Sequence, residues 1–61
     1  MLAREEYRNH DWSNLFTRME ALRCVHGIEA ASKRGDTDQA ELWKAALAEW
    51  IRRDKKIRGR H

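Results

Sequence analysis

A chain of 61 residues holds one domain at most, and at that size only about 60% of the unfolded chain's surface is buried on folding, so the core needs close helix packing or a second copy. Cys24 is the single cysteine, which excludes an intrachain disulfide, and 41% apolar residues including Trp12, Trp43 and Trp50 exclude disorder despite 38% charge. The net charge of +3 is uneven: residues 1–51 carry 7 Lys and Arg against 9 Asp and Glu, whereas residues 52–61 carry 6 against 1.

Proline is absent and Ala, Leu, Glu, Lys and Arg are plentiful, all good helix formers. Strand-favouring residues never alternate over a strand-length window. The expected class is all-α: one antiparallel two-helix hairpin over residues 1–61, with room for a short helical turn in residues 2–10, where Leu2, Ala3 and Tyr7 share a face.

Asp11 is the expected N-cap of a first helix over 12–34. Trp12, Leu15, Met19, Leu22, His26 and Ala30 follow the three-four spacing of one helical face, and this stripe is read as the core side. Ala21, Cys24, Val25 and Ile28 form a second, narrower strip roughly opposite it. A hairpin buries one face per helix, so the second strip is surplus and is the candidate for self-association. A two-fold dimer forming a four-helix bundle is the expected assembly. Trp12, at the end of the helix, is the candidate anchor for a partner, since tryptophan is enriched at binding hot spots. Gly27 permits either a close approach by another helix or a slight bend, and both readings stay open.

Lys33-Arg34-Gly35-Asp36-Thr37-Asp38-Gln39 is the clearest signal in the chain. Cations suit a last helical turn, Gly35 suits a left-handed backbone, and Asp36 or Thr37 suits an N-cap. Asp36 and Gln39 have capping-box spacing. The turn therefore falls at 35–36 and a second helix runs over 37–57. Its stripe is Ala40, Trp43, Ala46, Leu47, Trp50, Ile51 and Ile57, with Glu41, Lys44, Glu49, Arg52 and Lys56 on the outer side.

Chemistry-bearing residues are scattered. His10, His26 and His61 are far apart, and Cys24 and His26 point about 200° away from each other on a helix, so they share no metal ion. His26 reads as a core or interface histidine and Cys24 as a small buried hydrophobe. Glu5-Glu6 and Asp36/Asp38 sit at helix starts, where the helix dipole explains them. The expectation is a non-enzymatic protein with no catalytic, cofactor or metal residues. No apolar run reaches the ~18 residues of a membrane span. The chain is therefore expected in the cytoplasm, with Cys24 reduced.

The basic tail, residues 52–61, contributes Arg52, Arg53, Lys55, Lys56, Arg58 and Arg60. Three readings apply to it: a solvated helix end, a salt-sensitive phosphate contact, or a dock for an acidic protein surface. The tail lacks aromatics for base stacking, which places nucleic-acid binding second to protein binding.

The stretch Asn9-His10-Asp11-Trp12-Ser13-Asn14-Leu15-Phe16-Thr17-Arg18-Met19-Glu20, together with the Trp43 to Trp50 segment, resembles the small accessory proteins of the exo–xis early region of temperate lambdoid bacteriophages. That resemblance implies a non-essential protein that binds a host factor and biases host physiology or the choice between lysis and lysogeny. It carries over no functional residues. The function expected is that of a protein–protein interaction module, self-associating and bound to a protein partner; the alternative is a small nucleic-acid-binding protein acting through the tail.

Overall fold

Gly35 takes φ 74°, the left-handed conformation that ends a helix. Its N–H bonds to the Ser32 carbonyl at 3.1 Å, and that of Asp36 to the Ala31 carbonyl at 2.9 Å. Asp36 then caps the next helix, its side chain accepting from the Gln39 N–H at 3.1 Å. Around this turn the structure, a computed structural model describing residues 3–59, is all-helical: α1 (Ala3–Asn9), α2 (Leu15–Arg34) and α3 (Thr37–Gly59). Leu2, Arg60 and His61 lie outside the described residues.

Residues equidistant from the turn meet across α2 and α3. Thr17 touches Asp54, and Gly27 lies against Trp43. The two helices are therefore antiparallel. The short N-terminal element is a full helix that packs as a third member. Arg4 makes a two-pronged bond to Glu29 at 3.0 and 2.8 Å, and Arg18 Nε donates to the Tyr7 hydroxyl at 3.2 Å. Trp12 Nε1 donates to the Tyr7 carbonyl at 2.8 Å and fixes the corner between α1 and α2.

Several expectations are corrected. The first long helix begins at Leu15 rather than Trp12, and its N-cap is Asn14 rather than Asp11; the Asn14 side chain accepts from the Thr17 N–H at 3.2 Å. Residues 11–14 are held instead as a loop on α3. The second long helix continues to Gly59, so the described part of the basic tail is helix.

The larger correction is a rotation of α2. Ala21, Cys24, Val25 and Ile28 are all buried, with Ala31 beside them. They are the core and offer no surface to a second copy. The stripe read as the core faces outward: Leu15 and Met19 are 69% and 63% exposed, and His26 and Ala30 are exposed as well. The reason is volume. The facing side of α3 presents Trp43, Leu47 and Trp50, and where the Trp43 indole lies against α2 only a small residue fits at helix-packing distance. At Gly27 a Cβ would fall 2.3 Å from the Trp43 ring carbons. Of the two readings of Gly27, close approach is the one observed.

Candidate functional site

Two features stand out from the packed body: a buried carboxylate and an uncovered apolar face.

Asp54 lies one heptad beyond Leu47, and two beyond Ala40, on the inner side of α3, and it is fully buried. Burying an unpaired carboxylate is very costly, so its oxygens must be satisfied. Asp54 Oδ1 accepts from the Thr17 hydroxyl at 2.7 Å, the Ser13 hydroxyl at 3.1 Å and the Asn14 N–H at 3.1 Å. Oδ2 accepts from the Ser13 N–H at 3.1 Å and lies 2.8 Å from His10 Nε2. Arg58, one turn along α3, is 3.8 Å from Oδ2. Burial alone would raise the Asp54 carboxyl, but the hydrogen bonds from Thr17, Ser13 and His10 outweigh it and hold the group well below the ordinary carboxylate range. An ionised carboxylate has no proton to give, so His10 Nε2 is the donor.

Asp, His and Ser are the residue types of a hydrolytic triad, but the order is wrong for one. Nucleophilic activation needs the serine hydroxyl on the imidazole. Here Ser13 and His10 each direct a donor at Asp54. What results is a clamp tying the α1–α2 loop and the first turn of α2 to α3. Sequence reading missed it because Asp54 sits among Arg and Lys and looks like a solvated charge. The available signal was its register with Ala40 and Leu47.

Beside the clamp is an open groove of about 320 Å³ lined by Tyr7, Arg8, His10, Asp11, Trp12 and Arg18. Most of its polar groups already have partners: Trp12 and Arg18 on Tyr7, His10 on Asp54, and Asp11 3.8 Å from Arg58. Trp12 is half-buried, its ring set against those of Tyr7 and His10 at 5.6 and 4.4 Å. It therefore serves as a corner post of the fold.

The apolar face lies on the other side of α2. Leu15, Phe16 and Met19 project from its first turns, Phe16 being 62% exposed, with half-buried Leu22 continuing the row. Phe16 meets Trp50 of α3 edge-on at 5.6 Å, and the Arg53 guanidinium sits 4.8 Å over the Trp50 ring.

The basic stretch is partly neutralised from within. Arg52 and Arg53 pair with Glu49 at 2.9 and 3.5 Å, and Arg58 reaches Asp11 and Asp54. Among the described residues of this stretch, Lys55 and Lys56 carry no ion pair. Cys24 is buried, and burial pushes its thiol up, away from the reactive thiolate. Among the described residues no three His, Cys, Asp or Glu side chains converge as a metal site would need, and no helix is long and apolar enough to cross a membrane.

No protein-family model, curated protein or solved structure matches this chain.

Proposed function

We propose that the chain is a non-enzymatic helical interaction module that binds another protein through the outward face of α2. The observation that carries this reading is the exposure of Leu15, Phe16 and Met19 at helical spacing on a helix whose opposite face is already buried. A helix apolar on two sides is stable when both sides are covered, and contiguous exposed apolar residues mark interaction sites. If the chain self-associates, this face is the surface it uses, because the strip of Ala21, Cys24, Val25 and Ile28 is internal. The phage resemblance would make the partner a host factor.

Nucleic-acid binding through residues 52–60 is the second reading. It is weakened by the ion pairs of Arg52, Arg53 and Arg58, which leave few cations to neutralise phosphates.

A photo-crosslinking residue placed at position 19, and separately at Lys44 on the outer side of α3, tests the first reading in nuclease-treated cell lysate. Protein adducts are expected from position 19 and not from position 44. Adducts that vanish on nuclease treatment, together with loss of duplex binding when Arg52, Arg53, Lys55 and Lys56 become Gln, would favour the second reading.

A further inference from the structure

We propose that the occupant of the outward face of α2 is an acidic amphipathic helix of another protein; this rests on the interaction-module reading and names the partner's chemistry. The apolar row is not centred on the molecule. It sits where α2 begins, and antiparallel packing places the end of α3 beside it. That end, residues 15–26 and 46–59, carries seven Arg and Lys against three Asp and Glu, of which Asp54 is buried. The opposite end of the same two helices, residues 27–45, carries three against four. The exposed apolar row and the positive charge thus share one end of the helix pair.

Two cations flank Phe16. Arg23, one turn beyond Met19 on the same face, is exposed and has no ion pair among the described residues. Arg53, which shares the single Glu49 carboxylate with Arg52 and so keeps surplus charge, lies over Trp50, which Phe16 touches. A helix that laid Leu-type side chains on Leu15, Phe16 and Met19 would bring its flanking residues to these guanidiniums. Carboxylates there gain charge-assisted bonds, whereas Lys or Arg there would be repelled.

A second copy of this chain fits less well. A two-fold axis buries the row best when it passes near Met19, and that superposes the same basic end of both copies. Nucleic acid also fits less well, because Phe16 is the one ring exposed in the row and stands edge-on to Trp50, whose face Arg53 already covers.

Three labelled synthetic helical peptides test the proposal by fluorescence anisotropy against the full chain. One has a leucine row at i, i+3, i+4, i+7 flanked by Glu; one has the same row flanked by Lys; one keeps the Glu and replaces Leu with Ser. The Glu-flanked leucine peptide is expected to bind about ten-fold or more tightly than either companion. Met19→Glu should weaken it about ten-fold, and Arg53→Gln should weaken it several-fold and flatten its salt dependence. Circular dichroism of both variants should match wild type, since neither side chain is buried.

Equal or tighter binding of the Lys-flanked peptide overturns the acidic partner and leaves the module reading standing. Equal binding of the Ser peptide overturns it as well, by reducing the surface to a charge sink. If no peptide binds and sedimentation at about 100 µM shows a dimer that Met19→Glu dissociates, the occupant is a second copy. If no peptide binds, the chain is monomeric and position 19 yields no crosslinks, both readings fall.

Discussion

The hydroxyl of Thr17 on α2 donates to the carboxylate of Asp54 on α3 at 2.7 Å, across 37 positions of sequence. Both residues are buried, and the backbone N–H groups of Ser13 and Asn14 converge on the same two oxygens. One carboxylate thereby accepts from the Asn14 N–H, one of the donors that the start of α2 leaves without a helical partner, and fixes the path of the loop from α1. Leu15 and Phe16 lie between the clamped Asn14 and Thr17, so the apolar face is presented from a fixed first turn.

Removing that carboxylate should be the most damaging single change outside the apolar core. Asp54→Ala leaves several buried donors without an acceptor, a loss of about 2–4 kcal/mol. A domain this small has about 3–5 kcal/mol in total, so urea denaturation should find the variant largely unfolded. Asp54→Asn keeps one acceptor oxygen and should cost about 1–3 kcal/mol. A urea midpoint unchanged in Asp54→Asn would show that the clamp contributes nothing.

Acid should unfold the chain through the same group. The Asp54 carboxyl is held below its ordinary range in the folded state. The unfolded chain, with a carboxylate pKa of about 3.9, therefore binds more protons at low pH. The stability Asp54 contributes is fully present above that value and is lost as pH falls toward the lower, folded one. Thermal midpoints should be level near about pH 6 and fall steeply below about pH 4. The acid limb should be shallower in Asp54→Asn, which has no carboxyl to protonate.

The turn was legible because its chemistry is local: Gly35, Asp36 and Gln39 act within a few residues of one another. The inner side of α3 was legible because Trp43, Leu47 and Trp50 dominate it. The orientation of α2 was not. Two apolar strips compete on that helix, and periodicity ranks the one with larger side chains first. The winner was decided by what α3 presents. Trp43 needs a small neighbour, which Gly27 supplies, and the strip of Ala21, Cys24, Val25 and Ile28 packs beside it where Leu15 and Met19 do not. Asp54 was hidden for a related reason: its partners His10, Ser13 and Thr17 lie about 40 residues away, and within α3 only its register with Ala40 and Leu47 marks it.

Gly27→Ala separates helix propensity from packing. In an exposed helix the change would stabilise by up to about 1 kcal/mol. Here the new methyl would meet the Trp43 ring at 2.3 Å, against its rigid inner carbons. The ring must move, and overpacking of this kind costs about 1–3 kcal/mol. A net loss is expected by thermal denaturation, with a changed near-ultraviolet signal from displaced tryptophan. A gain in stability would mean that Trp43 does not rest on Gly27.

The rotation of α2 predicts opposite responses from its two apolar strips. Ile28 and Val25 are fully buried, so Ile28→Ala should cost about 2–4 kcal/mol and Val25→Ala somewhat less, through lost burial and the cavity left behind. Leu15 and Met19 are mostly exposed, so Leu15→Gln and Met19→Gln should each change stability by no more than about 0.5 kcal/mol. A helix turned the other way, with Leu15 and Met19 inside, predicts the reverse ranking. Urea denaturation of the four variants at low protein concentration decides between them, because dilution keeps any association through the outer face from adding to the apparent stability. Repeating the measurement at high concentration adds a second reading from the same proteins. If a second copy covers the face, wild type gains stability with concentration and Met19→Gln does not. If the occupant is a different protein, neither gains, and the cost of Met19→Gln appears only when that partner is present.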